Sequence, residues 1–366
     1  MSDSKPARTP LFDLHRELGG RMVPFAGWEM PVQYPTGILT EHQWCREQAG
    51  LFDVSHMGQV TIRGAGGANA FERLVPADIQ SLPPGKARYT QFTNEEGGIF
   101  DDLIVSNAGD HLFVVVNAGC RTQDVALMRA GLEPALRVTE HEELALLALQ
   151  GPKAVTVLAR LAPEAASLTF MTTARMAVGG LDCRVSRLGY TGEDGFEISV
   201  PAEHAAKLAR TLLAAEEVRP IGLGARDSLR LEAGLALYGH EIDTTTTPIE
   251  AQLGWSIQKR RRIEGGFPGA AVIQRQLTEG PSRKLVGIRP EGRAPARDGT
   301  EIRIGDEIVG RITSGGFGPT VGGPVAMGYV TAAHAAPGTA VDLVVRGKTL
   351  PAQVVTLPFT PHRYHR

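Results

Sequence analysis

Two adjacent aspartates, Asp101 and Asp102, sit inside the apolar run IFDDLIV. Successive side chains of a strand take opposite faces. One carboxylate should therefore share a side with Ile99 and Leu103, and the other with Phe100 and Ile104. Burying a charge is costly without a partner. Such a carboxylate reads either as a general base or anchor for a cationic nitrogen, or as an edge-strand aspartate bonded to backbone. GYTGEDGFEI (189–198) places Glu193, Asp194 and Glu197 beside Tyr190. Its glycines suit a tight turn, and Glu197 falls in the following strand, where it either binds a ligand or faces water. In GLGARDSLRLEAGLALYGHEID (222–243), Arg226 and Arg230 stand at i,i+4 on one helix face. A fork of arginines suits a carboxylate ligand. The alternative is a surface ladder of ion pairs with Asp227 and Glu232.

Other clusters carry plainer readings. RGAGGA (63–68) does not complete GxGxxG and reads as a tight turn. KRRR (259–262) reads as a solvated basic loop, with docking of an acidic protein as the alternative. TSGGFGPT (313–320) reads as a hairpin turn. Asp53, Ser55 and His56 stand close in LFDVSHM, but closeness in sequence does not make a hydrolytic triad. Cys45, Cys120 and Cys183 fit neither a disulfide framework nor a zinc site, and the ten histidines show no HExxH spacing, so no metal is expected.

The elements that must hold these residues follow from periodicity. Residues 37–50 read as a helix ending at Gly50. Strands are expected at 59–64, 87–94, 98–107, 110–117 and 136–141, with helices at 68–75 and 121–131. The plan then repeats: a strand at 143–151, a helix at 152–162, paired strands within 181–200 and an amphipathic helix at 202–215. Two successive strand–helix–strand–strand–helix units imply an α+β fold. From Lys284 on, short apolar strands alternate with glycine- and proline-rich turns, the pattern of a small antiparallel barrel or sandwich. The expected division is a core of two related, interleaved α+β domains over 1–263, a linker at 264–283 and a β-barrel over 284–366.

The chain has 366 residues, 42% hydrophobic and 21% charged, with a formal net charge of -2. That length favours more than one domain, and that balance argues against a general nucleic-acid or membrane-surface role. No apolar run is long enough to span a bilayer. MSDSKPARTP lacks an export core and is a poor transit peptide. Reduced thiols and this N-terminus lead to a cytoplasmic expectation.

Ten segments in order resemble the T-protein family of the glycine cleavage system. They are TPLFDLH (9–15), FAGWEMPVQY (25–34), LFDVSHM (51–57), GGIFDDLIV (97–105), VVNAGC (115–120), LALQGP (147–152), GYTGEDGFEISV (189–200), GLGARDSLRLEAGL (222–235), LYGHEID (237–243) and ITSGGFGPT (312–320). The resemblance implies a multi-domain folate-binding aminomethyltransferase fold, a ring whose central funnel holds tetrahydrofolate. It implies transfer of a methylene group from the aminomethyl-dihydrolipoyl H protein to tetrahydrofolate. The products would be 5,10-methylenetetrahydrofolate, ammonia and dihydrolipoyl H protein. Lipoylated H protein is the implied partner, with transient P and L protein contacts and neither nucleic acid nor membrane.

Carried over residue by residue, the resemblance gives the catalytic role to Asp101, beside the folate nitrogens. It gives folate contacts to Glu197, Arg226 and Tyr364, and makes Met57, Tyr89, Asn117, Tyr190 and Trp255 candidate pocket residues. The same scaffold resembles folate-dependent demethylases, which need no H protein, and non-catalytic folate-binding relatives. The aspartate pair and GYTGEDG favour the aminomethyltransferase.

Overall fold

The computed structural model describes residues 5–345 and 347–366. Strand Gly58–Arg63, helix Gly67–Phe71, strands Ala87–Thr93, Ile99–Asn107 and Leu112–Val116, helix Arg121–Leu132 and strand Arg137–Glu140 form a first unit. A second unit repeats the order with strand Leu144–Gln150, helix Ala154–Ala159, strands Thr172–Val178, Leu181–Arg187 and Gly195–Pro201, helix Ala202–Leu213 and strand Val218–Pro220. The first unit has the five strands read from periodicity, whereas the second adds Thr172–Val178 and Val218–Pro220 to the three read there. The strand Thr172–Val178 escaped that reading because TTARMAV, at a sheet edge, mixes buried and exposed positions without an apolar run.

The first unit forms an antiparallel five-stranded sheet in the order 87–93, 99–107, 112–116, 58–63, 137–140. The second runs 172–178, 181–187, 195–201, 144–150, and then admits a foreign strand, Ala49–Asp53, before 218–220. Ala49–Asp53 is antiparallel to Leu144–Gln150 and parallel to Val218–Pro220. The preceding helix accordingly stops early, at Ile38–Glu47. Gly50 belongs to the inserted strand, where a Cβ would lie 2.6 Å from Ile221 Cγ1. Close packing, and not a helix cap, explains that glycine.

Each sheet buries one face against its own helices. Val60, Leu103, Val105 and Val114 pack with Val125 and Met128 in the first, and Leu147, Ile198 and Val200 pack with Leu158 and Leu208 in the second. The opposite faces enclose a cavity lined by Ile104, Ser106 and Val115 from one sheet and Arg184, Ser186 and Glu197 from the other. The N-terminal strands Arg21–Phe25 and Trp28–Gln33, with Ala7–Arg8, make a small third sheet.

The antiparallel barrel expected at the C-terminus is present and closed. Its order is Arg283–Pro290, Gly323–Thr331, Glu307–Gly318, Glu301–Ile304, Ala340–Val345 and Lys348–Val355. Residues 264–283 contain the helix Ala270–Glu279. The helix Leu223–Glu232 ties core to barrel. Glu232 accepts the backbone N–H groups of Thr320 and Val321 at 2.8 and 3.1 Å and meets Arg46 at 3.2 Å. Arg230, 2% exposed, donates to Glu241 at 2.7 Å, Ser314 at 2.8 Å and Asp227 at 2.8 Å. Arg230 is thus a buried tie and not a rung of a surface ladder. Among the described residues no helix is long and apolar enough to cross a membrane.

Candidate active site

The strand Ile99–Asn107 pairs with Ala87–Thr93, but the register slips between Phe92 and Thr93. This bulge re-phases the start of the strand. Asp101 lies opposite Phe92, which is 0% exposed and belongs to the helix-side core. Asp102 lies opposite Gln91, on the face of Tyr89 and Ile104 that looks into the inter-sheet cavity. The aspartate expected to be catalytic, Asp101, is itself 0% exposed and turned away from the cavity, while Asp102 is half-buried and faces it. Asn117 joins the two. Its backbone N–H and Nδ2 donate to Asp101 at 3.0 Å each, and Nδ2 also reaches Asp102 Oδ1 at 2.9 Å. Burial, and then the neighbouring charge of Asp101, push the Asp102 carboxyl up to about 7. The Tyr89 hydroxyl lies beside Asp102.

The other carboxylate of the cavity comes from the second sheet. Glu197 sits in Gly195–Pro201, 9% exposed. The turn before it is shaped by Gln150, whose buried amide donates to Leu188 O at 3.0 Å and accepts from Thr191 Oγ1 at 2.9 Å. A Cβ at Gly189 would lie 1.7 Å from Gln150 Oε1, so only glycine fits there. Burial raises the Glu197 carboxyl to about 6 against the opposing pull of Arg226. Arg226 stacks over the Tyr190 ring at 4.9 Å, and its Nη1 is buried without a hydrogen-bond partner. Tyr190 is fixed by donating its hydroxyl to Ala236 O. A buried guanidinium with an unused donor and a carboxylate held near neutrality form a cradle for a polar ligand carrying both donors and acceptors.

The remaining candidates divide. Trp255, 64% exposed, stacks on Tyr89 with ring centroids 5.4 Å apart and extends the aromatic wall outward. Met57 packs beside Phe113, Val115, Ala225 and Leu229, next to the helix that carries Arg226. The structure does not bring Tyr364 into this group. Its ring stacks on Phe170 at 4.0 Å, next to His362, where it anchors the C-terminal segment. Asp53 binds Thr9 at 2.6 Å and His15 at 2.8 Å, while Ser55 Oγ bonds the backbone of Leu146, so LFDVSHM holds no triad.

KRRR is neither a loop nor free. It opens the helix Lys259–Glu264. Arg260 pairs with Glu72 at 2.6 Å, Asp78 at 2.7 Å and Glu264 at 2.7 Å, and Arg261, 5% exposed, donates to Glu72 O at 2.7 Å. These arginines hold the segment after Trp255 onto the first unit, which removes the basis for docking an acidic partner there. Charge reversal, Arg260→Glu, would put a fourth carboxylate among three. It is expected to lower stability by about 2 kcal/mol or more, read by thermal denaturation, with the KM for any protein substrate unchanged in the folded fraction. A raised KM with normal stability would restore the docking reading.

Two groups near the pair were missed by sequence reasoning. Cys120 and Asp124, 7% and 0% exposed, stand beside Asp101. Their i,i+4 spacing at the start of the helix Arg121–Leu132 was the available signal, because it places both on one helix face. Among the described residues no cluster of metal-ligating side chains occurs.

Comparison with known proteins adds the following. Residues 11–261 match the GCVT N-terminal domain, and residues 283–360 match the glycine cleavage T-protein C-terminal barrel domain. The chain is 46% identical to the mitochondrial aminomethyltransferase of Dictyostelium discoideum, covering 100% of this chain and 95% of the relative. It is 50% identical to that of Gallus gallus, covering 98% and 93%. The solved glycine cleavage system aminomethyltransferase T from Bartonella henselae superposes with a TM-score of 0.93 at 42% identity, covering 98% of this chain and 99% of that one. The relatives run against the cytoplasmic expectation: the Dictyostelium and Gallus proteins are named as mitochondrial.

Proposed function

This chain belongs to the glycine cleavage T-protein family and acts as an aminomethyltransferase in the glycine cleavage system, and from that premise we propose the substrates and the residues that serve them. The one-carbon unit comes from the aminomethyl-dihydrolipoyl arm of H protein and goes to tetrahydrofolate. The products are 5,10-methylenetetrahydrofolate, ammonia and dihydrolipoyl H protein. A folate supplies a nucleophilic nitrogen, an amino-pterin edge rich in donors and a carboxylate tail. The observation that carries the reading is the cradle of Glu197 and Arg226, whose buried Nη1 has no hydrogen-bond partner, with the half-buried Asp102 nearby across Tyr190.

In this reading Glu197 accepts paired hydrogen bonds from the amino edge of the pterin. Arg226 donates its unused Nη1 to a carbonyl or carboxylate of the same ligand. Tyr190, Tyr89, Trp255 and Met57 wall the ring system. Asp102 stands where positive charge develops on the reacting nitrogen, stabilising it and accepting its proton. Asn117 orients that carboxylate, and Asp101 supports it from behind. Tyr364 keeps a structural role. The remaining acceleration comes from holding two bound reactants together. The division proposed for the chain keeps a two-unit core over 1–263, a connecting segment at 264–283 and a barrel over 284–366.

The reverse reaction tests this. The protein is mixed with 5,10-methylenetetrahydrofolate, ammonia and reduced H protein, and the lipoyl arm is weighed by intact mass. An aminomethyl adduct that needs both this protein and the folate is the expected result. Bound folate without adduct on active H protein would overturn the transfer.

A further inference from the structure

Behind the cavity-facing carboxylate lies a second acidic pair that the proposed chemistry does not use. Asp101 and Asp124 are both 0% exposed. Asp101 comes from the strand Ile99–Asn107, and Asp124 from the first turn of the helix packed on that strand. Both oxygens of Asp124 are buried and take no donor from another described residue, apart from what the facing carboxyl group can offer. Asp101 has donors already: Asn117 gives its backbone N–H at 3.0 Å and its amide at 3.0 Å. The Cys120 thiol lies beside Asp101, and burial near these acids pushes it up, so it stays a neutral S–H.

Two ionised carboxylates cannot face each other in such a place, where a buried charge without a partner is expensive. Asp101 is surrounded by donors and Asp124 has none, so the charge belongs on Asp101 and the proton on Asp124. The groups around the pair agree. Asp102, Cys120 and Tyr238 face it, and among the described residues no cation counts among the influences on Asp124. Burial and the charge of Asp101 hold the Asp124 carboxyl protonated, up to about 10.

We propose that Asp101 and Asp124 share one proton as a buried acid pair, and that its single negative charge, passed on through Asn117, sets the proton affinity of Asp102. Asp101 and Asp124 are then positioning residues. The pair keeps Asp102 a better proton acceptor than a solvated aspartate. Asp102 is itself faced by Tyr89 and Gln91 on the neighbouring strand, Asn117 and Cys120 beyond the strand end, and Tyr190 from the second unit. The inference rests on the reading of Asp102 as the acceptor.

The test is the pH dependence of kcat with saturating folate and H protein. Asp101→Asn removes the charge of the pair and is expected to move the acid-side midpoint down by roughly one pH unit. Asp124→Asn keeps that charge on Asp101 and replaces one donor by another, so the midpoint should stay in place. Infrared difference spectra at pH 9 (a chosen condition), where Asp102 is ionised and Asp124 is not, should show a protonated carboxyl band that Asp124→Asn removes. An unmoved midpoint in Asp101→Asn, or a band that survives in Asp124→Asn, overturns the proposal. If Asp101→Asn does not fold, the band alone decides. A failure of the underlying reading looks different: Asp102→Asn would retain full activity whatever the pair does.

Discussion

Replacing Asp102 by asparagine is expected to lower kcat by about 10²–10³-fold, the cost of losing one aimed charge at a developing cation. Folate affinity should change by no more than about threefold, because the ring is held by other residues. The asymmetry follows from placement. Asp102 lies on the strand face of Ile104, which lines the cavity, and is fixed by Asn117 at 2.9 Å, while the amino edge of the ligand is assigned to Glu197, which lines the cavity from the other sheet. Burial and Asp101 raise its carboxyl to about 7, so the acceptor form grows in as pH rises through that value and is lost below it. Wild-type kcat should therefore show an acid limb near neutrality that the asparagine variant lacks. Single-turnover rates and folate titrations across pH separate the two effects. A variant that loses binding but keeps its rate at saturation would reduce Asp102 to a ligand contact.

Glu197→Gln should act in the opposite sense on binding and stability. The folded-state carboxyl titrates near 6, above the ordinary glutamate value, because burial outweighs the attraction of Arg226. The folded protein thus holds a proton that the unfolded chain gives up between the ordinary value and 6. Stability falls as pH rises through that window, and the penalty remains above it. At pH 8 the glutamine variant, which never ionises there, should be more stable without folate by about 1–2 kcal/mol. At pH 4 the two should melt together. Folate affinity should fall by about 10–100-fold, the value of a hydrogen-bond pair to a charged group. Melting curves at both pH values with a folate titration check this. A glutamine variant that is less stable at pH 8 would mean that Glu197 is a structural ion and not a ligand group.

Much of the fold could be read from local pattern, because most strands of the units and the barrel are apolar runs between turns, the edge strand Thr172–Val178 and the short Val218–Pro220 excepted. Glu197, Arg226 and Tyr190 were also within reach, since each sits in, or just after, a turn or helix start whose glycines mark tight geometry. What escaped is tertiary. Alternation separates Asp101 from Asp102 but does not say which one meets the second sheet, and the slip beside Phe92 is invisible in IFDDLIV. A lone acid such as Asp124 in a first helical turn reads as a partner of the helix dipole. Only the packed strand reveals its acidic neighbour. KRRR looks solvated because its partners, Glu72 and Asp78, lie far back in the chain. Tyr364 was placed by resemblance in a segment that the fold uses to close the C-terminus.

The strand Ala49–Asp53 bears on how such a chain can be divided. It precedes the whole first unit, yet it is clasped between Leu144–Gln150 and Val218–Pro220 of the second. A chain cut between the units would leave the second half with a gap in the middle of its sheet. The backbone donors and acceptors of Leu147 to Gln150 would then face a missing neighbour. Neither half is a self-sufficient module, although their order of elements is the same. Synthesis from the N-terminus leaves Ala49–Asp53 waiting, unpaired, until residues 144–220 emerge. The two halves therefore mature as one cooperative body, and a split or permuted version of this protein must carry residues 49–53 with the second half.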